Sequence, residues 1–320
     1  MRRLFANAHY DFISNRRKAY MFSGIVLAAG LAAALFFAAS RGSWLNYGVD
    51  FTGGSLVQVI VDGENRTIGD VRNVVTTAVP GSVVSRIGDQ NEFIIRTPPA
   101  TADAASGPAE AVVAGLRSSY GAESVQVGRS EAVGAKVGGE LQTRALLAIL
   151  ISFAATLVYL AFRFEWRFGV ASVIATVHDI LLTLSFLALL QLEVSLPTVA
   201  AFLTIVGYSL NDTIIIFDRI RENLRTAKRQ DFVAVLNRSI NETLPRTVLT
   251  TATTIVTLLA LFLFGGGVIR EFALIMIMGI LLGTYSSIFV AAPALRLIEE
   301  KFPHQQKQVR KARTPVTSRV

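Results

Sequence analysis

Six apolar stretches recur along this chain, at residues 20–39, 143–162, 168–190, 196–217, 247–265 and 271–295. Each has about the 20 residues that carry a helix, at about 1.5 Å per residue, across a hydrocarbon core. With 52% hydrophobic residues the chain is too apolar for an ordinary soluble protein. The pattern predicts a polytopic α-helical membrane protein with six transmembrane helices. The first stretch has a basic start (Arg2, Arg3, Arg16, Arg17, Lys18) and small residues at its end (Ala38, Ala39, Ser40), as a signal peptide does. Its apolar part exceeds the roughly 7–15 residues of a signal core, so a retained anchor is expected.

Charge predicts orientation. Arg and Lys gather in the N-terminal tail (1–19), the 163–167 turn, the 218–246 loop and the C-terminal tail (296–320). The 191–195 turn holds Glu193 and no base, and the 265–270 turn only Arg270. The positive-inside rule then places both termini in the cytoplasm and residues 40–142 outside. The net charge of +8 is an orientation signal, helped by anionic membrane lipids, and needs no nucleic acid to explain it. The basic stretch 301–319 reads as a solvated end. There is no cysteine, which excludes disulfides and thiolate metal sites.

The long loop reads as a small α+β domain. Strands are expected at 55–61, 83–87, 92–97 and 124–130, and helices at 67–79, with Thr67 as cap, and 109–119. A turn is expected at Gly88-Asp89-Gln90 and a loop at 98–108. The order βαββαβ is that of a ferredoxin-like sandwich. Just before it, "NYGVDFTGGS" (46–55) holds Asp50, Phe51, Thr52, Gly53 and Gly54. Turn chemistry alone makes this a tight turn between helix and sheet. No Lys-Ser/Thr follows the glycines, so it is not a phosphate loop.

No nucleophile, base and orienting partner can be assembled into a hydrolase. The histidines His9, His178 and His304 lie far apart and lack metal spacing. Polar groups inside the spans are therefore the informative residues. The third span carries His178 and Asp179, the fourth Asn211 and Asp212, and the fifth opens with Arg246. A charge at the bilayer centre costs at least about 2.5–3.5 kcal/mol on insertion scales and marks a functional site. Helical spacing puts Thr204, Tyr208 and Asp212 on one stripe, Thr176, Asp179 and Thr183 on another, and Arg246, Thr250 and Thr257, with Thr253 or Thr254, on a third. Three such stripes facing one another make a hydrated seam; the bland alternative is a static ion pair or polar helix glue. Gly279 and Gly283 read as close helix packing.

These residues match a known pattern. The chain resembles the SecF family, the smaller half of the SecD–SecF accessory complex of bacterial protein export, over nearly its whole length. The motifs that carry the resemblance are "GVDFTGG" (48–54), "VGAKVGGEL" (133–141), "HD" (178–179) and "GYSLNDTIIIFDRIREN" (207–223), which begins at Gly207. "LPRTVLTT" (244–251) looks like the family's fifth-span start, with a Thr pair where Thr-Ser is common. The resemblance implies half of an RND-type membrane domain in the bacterial inner membrane. It implies SecD, the SecYEG channel and a translocating unfolded polypeptide as partners. It also implies a proton gradient as energy source, no cofactor, and a proton path through Asp212 and Arg246. Burial disfavours a charged carboxylate and a nearby guanidinium favours it, so helix movement can change such a group's proton affinity.

Two other classes fit the composition. Half of an RND-type small-molecule or lipid exporter also has charged midspans, but calls for larger exported domains around an apolar pocket. A passive scaffold subunit has no use for buried charges.

Overall fold

The computed structural model describes residues 8–63, 66–87, 91–100, 107–226 and 231–302. Helix α1 (Arg16–Arg41) leads to a two-residue strand β1 (Asn46–Tyr47) and a single helical turn α2 (Val49–Thr52). The α+β domain follows: β2 (Gly54–Val61), α3 (Ile68–Ala78), β3 (Val83–Ile87), β4 (Glu92–Thr97), α4 (Pro108–Tyr120) and β5 (Val125–Val133). Then come α5 (Ala135–Arg163), α6 (Trp166–Leu190), the short β6 (Glu193–Val194), α7 (Leu196–Thr226) and α8 (Phe232–Phe264). The last span is α9 (Gly267–Ser286), a π-helical turn (Ser287–Ala291) and α10 (Ala292–Lys301). Among the described residues, six helical segments are long and apolar enough to cross a membrane.

The α+β domain has strand order β3-β4-β2-β5, all pairs antiparallel. That is the ferredoxin-like arrangement its element order called for. Alternate residues of β2 and β4 (Val57, Val59, Val61, Phe93, Ile95) meet Val71 and Val75 of α3 and Val112 and Leu116 of α4 in one closed core. Thr67 caps α3 in a reciprocal box with Asp70, whose backbone N–H donates to Thr67 Oγ1 at 3.2 Å. The expected turn at Gly88-Asp89-Gln90 and the basic tail beyond Phe302 lie outside the described residues.

Two boundaries differ from the sequence reading. Helix α5 begins at Ala135, so the "VGAKVGGEL" segment is helical from its third residue and outside the apolar run. The basic 218–246 loop is largely helix as well: α7 runs on to Thr226, and α8 starts at Phe232 and passes through Pro245 without a break. Hydropathy finds the part of a helix that lies in lipid; it does not see polar turns that continue it into water.

In the bundle, α9 packs against α6, α7 and α8, and α1 lies along α6. Gly279 and Gly283 are placed against Ile205 and Ser209 of α7, so close that a Cβ on either would collide. The close packing expected of this pair is realised against the fourth span. The N-terminal segment docks on the start of α8: Tyr10 N–H donates to Asn241 Oδ1 at 3.0 Å, and Phe12 and Ile13 N–H donate to Asn237 Oδ1 at 3.0 and 3.1 Å. The segment 10–13, the end of α7 and the start of α8 therefore share one end of the bundle, and the α+β domain joins the other.

Candidate functional site

Asp212 is fully buried on α7. Its Oδ2 accepts a hydrogen bond from Thr284 Oγ1 of α9 at 3.2 Å, and its Oδ1 has no partner among the described residues. Leaving a buried oxygen of a charged group unpaired costs a few kcal/mol. Thr284 also bonds Thr251 of α8 at 2.9 Å, and Tyr208 meets Thr254 at 3.3 Å. The fourth, fifth and sixth spans are thus tied together by hydroxyl groups around Asp212.

The static ion pair with Arg246, the bland alternative, is not formed. Arg246 is exposed and makes no ion pair among the described residues, although it acts on Asp212 electrostatically. Thr284 takes the hydrogen-bonding position instead. Asn211 is corrected: consecutive helical residues sit about 100° apart, so with Asp212 pointing in, Asn211 points out. Gly207 and Thr204 share that exposed side. The stripe drawn through Thr204, Tyr208 and Asp212 drifts by about 40° for every four residues, because 3.6 residues complete a turn. Thr204 ends up outside the site while Asp212 is inside.

The polar seam is only partly built from the threonines singled out. Thr176, Thr183 and Thr250 donate back to carbonyls of their own helices, from Ser172, Asp179 and Arg246, and Thr204 does so to Ala200. Thr254 does this too, and in addition reaches Tyr208. A hydroxyl that satisfies itself on the preceding turn has little to offer a neighbouring helix.

Asp179 is the second buried carboxylate. Its Oδ2 accepts from Ser209 of α7 at 2.5 Å and Ser286 of α9 at 2.7 Å, and its Oδ1 lies 3.1 Å from His178 Nδ1. The other ring nitrogen of His178 is 2.9 Å from Ser23 of α1. Ser23, Ser209, Thr284, Tyr285 and Ser286 were not singled out by sequence reasoning. The run "TYSS" (284–287) inside an apolar span was the available signal. It coincides with the π-helical turn at Ser287, a distortion often found at functional sites.

A third cluster joins the bundle to the α+β domain. Strands β1 and β6 pair in parallel, Asn46 opposite Glu193 and Tyr47 opposite Val194. Arg96 of β4 forms a 2.8 Å ion pair with Glu193, and its other nitrogen donates to Asn46 Oδ1 at 3.1 Å. Asp50 Oδ2 accepts the N–H of Leu196 at 2.8 Å, placing a negative charge at the N-terminus of α7. The tight turn expected of this motif is present, since Gly53 and Gly54 have φ of 73° and 113°. A Cβ on Gly54 would strike the Thr97 carbonyl, and one on Gly138 of α5 would press on Gly53 and Phe51. Thr52 donates to the Gly48 carbonyl and Phe51 is buried. The motif does more than turn the chain: it clamps β2, α5 and the α6–α7 connection together.

Burial pushes the Glu193 carboxyl above its ordinary range, against the opposing pull of Arg96 and with the help of Asp50 and Glu131. The folded state therefore binds this proton more tightly than the unfolded chain. Its contribution to stability is full below the ordinary Glu range and is lost as pH rises through the folded value. Thermal unfolding in lipid from pH 4 to 8 should show that decline, and Glu193→Gln should flatten it; an unchanged slope would reject the assignment.

The geometry can now be set beside known proteins. The family model described as "Protein export membrane protein SecD/SecF, C-terminal" matches residues 113–301, and the "SecD/SecF GG Motif" matches residues 42–62. The chain belongs to the SecF family. A protein translocase subunit SecF of Gemmatimonas aurantiaca is 44% identical over 313 residues, covering 95% of this chain and 91% of that one. The SecF of Magnetococcus marinus is 42% identical over 296 residues, covering 91% and 92%. A crystal structure of SecDF from Thermus thermophilus, described as a translocon-associated membrane protein, superposes with a TM-score of 0.78 at 35% identity. That match covers 92% of this chain but only 39% of the SecDF chain, so this SecF-family chain corresponds to a part of the longer SecDF protein. The clamp built by Asp50, Gly53 and Gly54 falls within the family's GG motif.

Proposed function

We propose that this chain is the SecF-like half of a proton-driven accessory complex. It promotes late translocation and release of unfolded polypeptides through the SecYEG channel. The observation that carries the reading is Asp212: a fully buried carboxylate with one oxygen bare among the described residues and the other held by the Thr284 hydroxyl of α9, with Arg246 acting on it but not bonded. A guanidinium that can approach or withdraw is the minimum needed to load and unload a proton. One proton crossing brings about 2.3 kcal/mol per 100 mV and about 1.4 kcal/mol per unit of pH difference. A few protons per cycle suffice to redistribute two conformations separated by several kcal/mol.

SecD is the partner that the surface supports. Thr204, Gly207, Asn211, Arg246, Thr253 and Thr257 are exposed on α7 and α8 at membrane depth. Polar groups there are stable only against protein or water, and a second six-helix half covers them. The membrane is read as the bacterial inner membrane, with both termini cytoplasmic. The docking of the N-terminal segment on the basic α7–α8 end supports one sidedness for both. Reporters placed at Ala104 and Gln230 should land on opposite sides; finding both on one side would reject the orientation.

The test of function is export in sealed vesicles containing the channel, SecD and this chain, with the ATP-driven step held constant. Imposing a proton gradient should raise completed export severalfold, and an uncoupler should cancel the gain. Export that ignores the gradient would reject the proposal.

A further inference from the structure

The hydrogen-bond chain that ends on Asp179 has its proton directions set from the far end. Tyr285 OH lies 2.7 Å from the Ala19 carbonyl, which can only accept, so the phenol's one proton is committed there. Ser23 Oγ lies 3.0 Å from the same phenol oxygen, and the proton in that contact must come from Ser23. Ser23 then has none left for His178, 2.9 Å away, so His178 Nε2 carries a hydrogen and donates it. What remains is the 3.1 Å contact between His178 Nδ1 and Asp179 Oδ1. A neutral imidazole protonated at Nε2 presents a lone pair at Nδ1, and a carboxylate presents another. The contact holds only with one more proton between them.

We infer that His178 and Asp179 form a second proton-binding site of the membrane domain, loaded with one proton in this conformation. The same count results whether the proton sits on nitrogen, giving imidazolium and carboxylate, or on oxygen, giving a neutral pair. The site lies between α1, α6, α7 and α9, with Asp179 buried and His178 partly buried. It faces Ser23 from α1, Ser209 from α7, and Tyr285 and Ser286 from α9; Tyr285 is the titratable group among them. Asp179 is 2% exposed and the His178 side chain 12%.

Unloading has a mechanical consequence. When the proton passes to water, two lone pairs face each other at hydrogen-bond distance inside a low-dielectric bundle. The His178 ring must turn, which breaks its bond to Ser23 and loosens α1 from α6 and α9. Proton occupancy is thereby tied to the packing of a helix that Asp212 does not touch. The proton count follows from the contacts alone; only its part in transport rests on the proton-driven reading above.

The test uses the full-length chain with its partner subunit in lipid vesicles, with His9→Gln and His304→Gln leaving His178 as the single histidine. Nitrogen-15 NMR should find Nε2 protonated at neutral pH. The Nδ1 signal should move with pH together with the Asp179 carboxyl carbon-13 signal. Asp179→Asn should leave Nε2 protonated and make Nδ1 silent to pH. It should also abolish the severalfold gain in export that the gradient brings. Spectra are read on the assembled fraction, so a variant that accumulates poorly still reports. A neutral His178 protonated at Nδ1 with a bare Nε2 would overturn the proton count. Asp179→Asn with a full gradient response would reduce the pair to helix glue. Asp212→Asn should leave the His178 spectrum unchanged, which separates failure of this site from failure of the Asp212 reading.

Discussion

Asp212→Asn is expected to bring gradient-stimulated export down to the level seen without a gradient, a loss of the whole severalfold gain, while the protein still inserts and assembles. The substitution keeps the volume and one oxygen acceptor for Thr284, so the hydroxyl cluster around it survives. What it removes is the group that titrates. Arg246→Met should do comparable harm for a different reason: without a guanidinium to approach, Asp212 holds its proton in a low-dielectric site. Arg246→Lys should restore only part, since an ammonium does not present the planar fork of donors. Thr284→Val tests the cluster itself. It removes the hydrogen bond that Asp212 receives and the link to Thr251, and should weaken the gradient response less than Asp212→Asn does. The measurement is vesicle export with and without a proton gradient, normalised to membrane level. Fully assembled Asp212→Asn complexes with a normal gradient response would show that the residue only holds helices together.

The second large effect is expected at the clamp between the bundle and the α+β domain. Arg96→Ala leaves Glu193 buried without its cation, and breaking such a pair costs on the order of 3 kcal/mol. The pair is the side-chain bridge from β4 to the α6–α7 connection, whose two helices carry Asp179 and Asp212. Losing it should lower thermal stability and, more sharply, uncouple export from the gradient, because movement of α6 and α7 no longer reaches the outer domain rigidly. Arg96→Ala combined with Glu193→Gln should recover most of the stability, since the stranded charge is gone, but not the coupling. In the Arg96→Ala chain, cysteines at 46 and at 193 (in place of Glu193→Gln), opposite one another in β1 and β6, should restore coupling when oxidised to a disulfide. Full coupling in Arg96→Ala without the cross-link would dismiss the clamp as a transmission element.

Why Asp212 and Asp179 differ in their surroundings is a question of which neighbours arrive. Asp179 receives hydroxyls from α7 and α9 and a ring nitrogen from its own helix, so both its oxygens are engaged. Asp212, three residues beyond Ser209, receives one hydroxyl and retains a bare oxygen. The π-helical turn begins at Ser287, directly after Ser286, which reaches Asp179. Ser287 meets Thr213 at 2.9 Å. Two adjacent serines thus serve two different contacts on α6 and α7.

The six spans, the βαββαβ order and the two intramembrane carboxylates were legible in the amino-acid sequence because each leaves a local mark. Apolar runs of membrane length, alternation along β2 and β4, and a charge inside an apolar run need no knowledge of neighbours. The glycines at 279 and 283 were legible for the same reason, as small residues one turn apart. What the sequence could not assign was partnership. Whether Arg246 bonds Asp212 depends on the rotation of α8 against α7, and Thr284 of α9 occupies the place instead. Whether Thr204 or Ser209 lines the interior depends on a drift of some tens of degrees per turn, which periodic stripes drawn over eight residues do not resolve. Asp50 looked like a turn residue because its partner, the N–H of Leu196, lies 146 positions away. Local chemistry decides which residues a membrane chain can tolerate inside; only the packing of the helices decides which of them meet, because a hydrogen bond is a matter of tenths of an ångström and sequence spacing is not.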